Sequence, residues 1–176
     1  MTRLFSCRTL AGLLVLTLLP FTAALALESD ASAPIRVEAD RFDLDNRAGS
    51  AVYQGDVRIR QGSMKLNGDR VELYRNAEGQ LSRAVATGER AYIEQQPSPE
   101  EKLMKGWGRK IIYHVSERRV ELIDQAELHQ GNDTFDGGYL EYFLDRRVVQ
   151  ARSSAEGVEG SQRVRMTLEP EQQSSQ

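Results

Sequence analysis

His114 and His129 are the only histidines of the chain, and Cys7 is its only cysteine. A metal centre needs such ligands in sets at matched spacing, and no His-x-x-x-His or Cys pair exists here. Both histidines alternate with apolar neighbours, so they fall on outward positions of candidate strands and read as surface histidines. Asp43-Leu44-Asp45-Asn46 begins like a calcium loop, but Arg47 and Ala48 stand where further oxygen ligands and a glycine are needed. It reads as a strand end entering a turn. Gly106-Trp107-Gly108 lacks the third glycine and the strand-to-helix setting of a phosphate cradle. Glu100 and Glu101 are paired carboxylates in a loop, where solvation is the default. Asn132-Asp133-Thr134 matches a glycosylation triplet but reads as a turn. These residues give no reason to expect catalysis, a metal or a cofactor.

The informative residues are the apolar ones, and the elements they imply are strands. Ile35/Val37, Phe42/Leu44, Ala51/Tyr53, Val57/Ile59, Met64/Leu66 and Val71/Leu73 each alternate with polar residues. So do Leu81 to Ala86, Ala91 to Glu94, Ile111/Tyr113/Val115, Val120/Leu122, Ala126/Leu128, Leu140/Tyr142/Leu144, Val149/Ala151 and Val164/Met166/Leu168. Period-two alternation marks half-buried strands, roughly 14 of them here. Asn46 to Gly49, Gln54-Gly55-Asp56, Gly62-Ser63, Asn67-Gly68-Asp69 and Asn76 to Gly79 supply turn signals between them. Phe135, between Asp133 and Asp136-Gly137-Gly138, sits in a turn-rich setting. Residues 95–106, with Pro97, Pro99 and a Ser98-x-x-Glu101 cap, read as the main loop, with room for one short helix. The set predicts an all-β antiparallel sandwich, barrel or roll in one domain.

Two stretches echo each other. Val57 to Gly62, then Gly68, Val71 and Leu73, recur as Ala126 to Gly131, then Gly137, Leu140 and Tyr142, always 69 positions on. A fixed offset between strand sets suggests stacked layers sharing one apolar face. That face is either an ordinary closed core or a groove that receives an apolar ligand. Exposing one chain of about twelve carbons costs roughly 9 kcal/mol at ~0.8 per CH₂, so a carrier through water must hide it continuously.

The ends address the chain. Arg3 and Arg8 precede an apolar run, Leu10 to Leu19, and Ala24-Leu25-Ala26 is a small-x-small cleavage site. This predicts an export leader over residues 1–26, cut after Ala26, and too short for the ~20 apolar residues of a comfortable membrane span. The remaining 150 residues hold no cysteine and so would fold without disulfides. Removing Arg3 and Arg8 leaves 21 basic against 26 acidic residues, a net charge of −5. With no basic run, nucleic acid is not an expected partner. Residues 27–34 read as a mobile lead-in, 35–168 as the β domain, and the polar 169–176 as a disordered tail.

Pro34-Ile35-Arg36-Val37-Glu38-Ala39-Asp40 with Leu44-Asp45 resembles the opening of the LptA/OstA-like family. So do Tyr53-Gln54-Gly55-Asp56-Val57 and the stretch from Gln61 to Asp69. Val120-Glu121-Leu122, Ala126-x-Leu128-x-Gln130 and Gly137-Gly138-Tyr139-Leu140-Glu141-Tyr142 fit its second half. The resemblance runs from about Ile35 to Ala151. It implies an open antiparallel β-jelly roll, two facing sheets like a folded taco. It also implies a non-enzymatic periplasmic lipopolysaccharide carrier that shields lipid A acyl chains during outer-membrane assembly. Implied partners are LptC at the inner membrane, LptD/LptE at the outer membrane, and further copies joined head to tail. The family's inward lipid-contacting positions fall on Ile35, Val37, Leu44, Ile93, Tyr113 and Val115. Alternation adds Val57, Ile59, Met64, Leu66, Val71, Leu73, Leu122, Leu128, Leu140 and Tyr142. The exposed edges of the first and last strands are the expected head-to-tail contacts. The competing expectations are LptC itself, a periplasmic enzyme acting on envelope glycans, and a structural β-protein with a closed core.

Overall fold

The computed structural model describes residues 33–96, 101–155 and 162–170. The leader over 1–26, the lead-in to residue 32, Pro97, Ser98, Pro99, Glu100 and the tail beyond 170 lie outside the described residues. The described residues form ten strands and no helix. These are β1 (Arg36–Glu38), β2 (Arg41–Asp45), β3 (Ser50–Gln61), β4 (Met64–Arg75) and β5 (Leu81–Gln95). The second half adds β6 (Met104–His114), β7 (Arg119–Gln130), β8 (Asp133–Phe143), β9 (Val148–Arg152) and β10 (Arg165–Thr167). β3 to β8 form an antiparallel meander. Two short strands flank each side of it: β1 and β2 both pair with β3, and β9 and β10 both pair with β8.

The six central strands are each 11 to 15 residues long. Each of their pairings loses register near the middle, at Gln54/Val57, Asn67/Arg70, Thr87/Ala91, Trp107/Lys110 and Ile123/Ala126. Extra residues in one strand bend it and raise its twist. A line of such breaks folds the sheet over into two facing layers. β2, β9 and one half of each central strand make one layer; β1, β10 and the other halves make the second. The breaks also keep the apolar side inward. β4 buries Met64 and Leu66, then Val71 and Leu73; β5 buries Ala84 and Ala86, then Ala91 and Ile93. A regular strand would turn one of those pairs outward, because side chains alternate with period two.

The structure therefore corrects several expected turns. Gln54-Gly55-Asp56 and Asn67-Gly68-Asp69 are bends inside β3 and β4, not hairpins, and the candidate pairs at 81–86 and 91–94 and at 120–122 and 126–128 merge into β5 and β7, so about 14 candidate strands become ten. Residues 104–106, taken as loop, open β6, which runs through Gly106-Trp107-Gly108. Phe135 is inside β8. Glycine is used there because backbones approach closely: a Cβ on Gly68 would lie 2.9 Å from the Thr87 carbonyl oxygen.

The echo at offset 69 is a structural repeat. Arg36 pairs with Arg60 as Lys105 pairs with His129, and Phe42 pairs with Tyr53 as Ile111 pairs with Leu122. Left-handed backbone recurs at Gly49 and Arg118, Gly55 and Asp124, Asp56 and Gln125, Gly62 and Gly131. Thus β1 and β2 together stand where β6 stands in the second half. β9 and β10 together likewise stand beside β8 as β5 stands beside β4.

Candidate functional site

The inner faces of the two layers meet in one apolar cluster, but not uniformly. Near the middle the gap is closed. A Cβ added at Gly106 in one layer would lie 3.0 Å from both terminal methyls of Leu122 in the other. Val57, Ile59, Leu66, Val71, Ile93, Leu122, Leu128 and Leu140, all expected to contact lipid, are packed side chains with essentially no exposure. Tyr142 is also buried, and its hydroxyl accepts a hydrogen bond from Gln130 Nε2 at 2.9 Å.

Toward the β1/β2 side the layers part. A cavity of about 470 Å³ is lined by Ile35, Met64, Leu81, Tyr113 and Val115, with Ala33, Gln61, Gln80, Gln95 and Arg118. Its walls come from both layers. A second cavity of about 340 Å³ is lined by Ile35, Val37, Ala51, Tyr53, Leu73 and Leu81, with Arg75 and Gly79. The two share Ile35 and Leu81. Each falls in the size range of small-ligand sites. Leu44 borders a third hollow of about 230 Å³ beside the turns at Asn46 and Asn76.

Of the sixteen expected contact residues, Ile35, Val37, Leu44, Met64, Leu73, Tyr113 and Val115 border these spaces. Five of those seven came from the family resemblance, which also placed Ile93, a packed residue. Alternation finds the inward face of a strand, but not where that face meets a gap. Leu81, Ala51 and Tyr53 carried the same alternation signal and were not singled out. Gln61, Gln80, Gln95, Arg75 and Arg118 had no apolar pattern to mark them.

The outward face is covered by paired charges. Lys65 Nζ lies 2.7 Å from Glu94 Oε1, and the Tyr92 hydroxyl donates to the same carboxylate. The Lys65 hydrogen bond, then that of Tyr92, holds Glu94 below the ordinary carboxylate range. The Tyr74 hydroxyl, then Arg70, does the same for Glu72. Arg119 pairs with Glu117 at 2.7 Å, Glu141 at 2.9 Å and Glu121. Burial, reinforced by the charges of Glu121 and Glu141, pushes the Tyr139 hydroxyl up to about 12. His114 lies 2.7 Å from Glu121, and His129 lies 2.8 Å from Glu127. Trp107 packs edge-on to His129 and against Tyr92, so the glycine-flanked tryptophan belongs to a cross-strand aromatic row. Among the described residues no three His, Cys, Asp or Glu side chains come together to hold a metal.

The large apolar side chains left exposed among the described residues are Ile35, Phe42, Leu44, Val148, Val164, Met166 and Leu168. All lie on or beside β1, β2, β9 and β10, the two edges of the folded sheet.

Residues 36–148 match the model of the LptA/LptD N-terminal domain family of LPS transport proteins. The chain belongs to that family. It is similar to the lipopolysaccharide export system protein LptH of Pseudomonas aeruginosa, 42% identical over 149 residues, covering 84% of this chain and 85% of that protein. It is also similar to the lipopolysaccharide export system protein LptA of Escherichia coli K12, 26% identical over 130 residues, covering 74% and 70%. The crystal structure of LptH, described as the LptA-homologous periplasmic component of the lipopolysaccharide transport device, superposes with a TM-score of 0.75. That match has 39% identity and covers 81% of this chain and all of LptH as crystallised. A 55-residue stretch is 47% identical to the LPS-assembly protein LptD of Aeromonas salmonicida, covering 31% of this chain and 7% of LptD. This LptA-like chain therefore shares its all-β folded sheet with LptH, and the relatives named above carry transport and assembly names.

Proposed function

We propose that this LptA-like chain is a non-enzymatic carrier and bridge for lipopolysaccharide in the periplasm. It is exported by a leader cut after Ala26. The single observation that carries the reading is the pair of neighbouring cavities between the layers that share Ile35 and Leu81, at a free edge of the sheet. Lipid A acyl chains enter there, against Ile35, Val37, Met64, Leu73, Tyr113 and Val115. The packed residues Val57, Ile59, Leu66, Val71, Ile93, Leu122, Leu128, Leu140 and Tyr142 hold the walls in place and reach lipid only where the layers spread. Leu44 lines the outer approach.

The bridge is made edge to edge. An exposed strand edge with apolar side chains is a template for another chain. Successive copies join head to tail, β9 and β10 of one against β2 and β1 of the next. LptC at the inner membrane and LptD/LptE at the outer membrane take the two terminal edges. The similarity to LptD supports the second contact. The internal repeat supports one register. Within the chain, Ala84, Ala86 and Ile93 of β5 face Tyr113, Ile111 and Gly106 of β6. Carried to the edges, Val149 faces Leu44, Ala151 faces Phe42 and Met166 faces Val37 of the next copy.

Photo-crosslinking residues at positions 35 and 113 test the carrier reading. Adducts with lipopolysaccharide are expected at both. Absence of adducts at both sinks it and favours the closed-core alternative, which the Gly106–Leu122 contact supports.

A further inference from the structure

We propose that Arg118 holds the anionic group, phosphate or carboxylate, of the amphiphile whose apolar part enters the larger cavity. This rests on the carrier reading and adds a specificity-determining residue to it. Among the described residues Arg118 is the only charged one lining that cavity; its other walls are apolar or neutral. A ligand held there buries carbon chain against Ile35, Leu81 and Tyr113 and leaves its head beside one guanidinium.

The guanidinium is available. Arg118 makes no side-chain hydrogen bond or ion pair among the described residues, whereas adjacent Arg119 pairs with three glutamates. The sequence places two arginines side by side, and the fold uses one for the outer network and leaves the other at the cavity. The planar fork of arginine matches a phosphate or carboxylate through two parallel hydrogen bonds.

Arg118 is also one of five non-glycine residues with left-handed backbone among the described residues, and the one of them that lines this cavity. Its φ is 47°, in the left-handed region, at the end of the β6–β7 turn. The turn is fixed by hydrogen bonds from Arg118 N to the Val115 carbonyl at 3.2 Å and from Leu144 N to the Arg118 carbonyl at 2.9 Å. The repeat-equivalent position is Gly49, with φ 62°. Glycine accepts this conformation without strain and arginine does not. Strain retained at a cavity mouth points to a use for the side chain.

The test measures binding by the leaderless protein of four probes in two pairs: bisphosphorylated lipid A and the same lipid with both phosphates removed, and palmitate with hexadecanol as its neutral counterpart. Wild type is expected to bind a charged probe at least about tenfold tighter than its neutral form, the scale of one hydrogen-bonded charge contact. Arg118→Gln and Arg118→Gly are expected to erase that preference while leaving the neutral probes unchanged, and Arg118→Lys to retain part of it. Arg118→Gly is further expected to melt no lower than wild type, which a purely structural arginine would not allow. A preference confined to lipid A names phosphate as the anion, and one confined to palmitate names carboxylate. Variants that bind with an unchanged charge preference, or lose charged and neutral probes equally, overturn the inference and leave the carrier reading standing. Wild-type protein that binds no probe overturns both.

Discussion

At the residue scale, the same alternating pattern produces two kinds of inward side chain. Leu122 is packed against the opposite layer, while Val115 borders a cavity. Leu122→Ala is expected to cost about 2–5 kcal/mol, because a fully packed leucine leaves a void. Val115→Ala is expected to cost much less and to weaken lipopolysaccharide capture instead. Denaturant midpoints and crosslinking yield, read on both variants, separate the two effects. Gly106→Val should be destabilising by about 1–3 kcal/mol, since its Cβ already meets Leu122 at 3.0 Å and more volume must push the layers apart. The outer face predicts a pH dependence. Glu72 and Glu94 are held below the carboxylate value of 4.5. A depressed carboxylate stabilises the fold above its unfolded value and loses that contribution as pH falls through its folded value. The melting temperature should therefore drop as pH falls below about 4.5, and Glu72→Gln with Glu94→Gln should flatten that slope. An unchanged slope would mean that these two pairs contribute nothing measurable.

At the scale of elements, the bend defines the molecule. The central strands could each have been two short strands, and the turn residues at Gly55 and Gly68 favour that reading in β3 and β4 by composition. The chain instead continues through them, because hydrogen bonding to neighbours on both sides holds the backbone extended beyond each break. Gly68→Val is expected to destabilise strongly, since the clash at 2.9 Å is with the Thr87 backbone, which cannot move aside as a side-chain tip can. Thermal melting checks this, with exposed Gly79→Asn, whose Cβ would meet nothing within 4 Å, as the tolerant control. Asn accepts left-handed backbone better than most residues. The short strands are a second element-level feature. β1/β2 and β9/β10 are broken versions of β6 and β5, so the repeat ends on both sides with apolar residues unpaired.

At the scale of the whole molecule, two unsatisfied edges and one internal repeat make a unit suited to extension. Cys7 is the only cysteine, so in protein lacking residues 1–26 introduced pairs report cleanly. Leu44→Cys combined with Val149→Cys is expected to give a ladder of disulfide-linked copies under mild oxidation. Leu44→Cys with Arg152→Cys, three residues out of register, is expected to give little. Equal ladders from both, or none from the first, would reject the β5–β6 register between copies.

The sequence by itself determined that the chain is all-β, which side chains face inward, and that the two halves repeat with an offset of 69. Alternation and turn chemistry are local, and the offset survives because Gly49/Arg118 and Gly62/Gly131 occupy equivalent backbone conformations. Resemblance to a family added the expectation of an open trough and five of the residues that border the cavities, Ile35, Val37, Leu44, Tyr113 and Val115. Tertiary structure alone decided where the layers touch and where they part. That depends on which bulge bends each strand, and on Leu122 reaching across to Gly106, contacts between residues whose spacing carries no periodic signal. It also separated Arg118 from Arg119: neighbours of one residue type, turned by alternation and a left-handed turn toward the cavity and the outer network respectively.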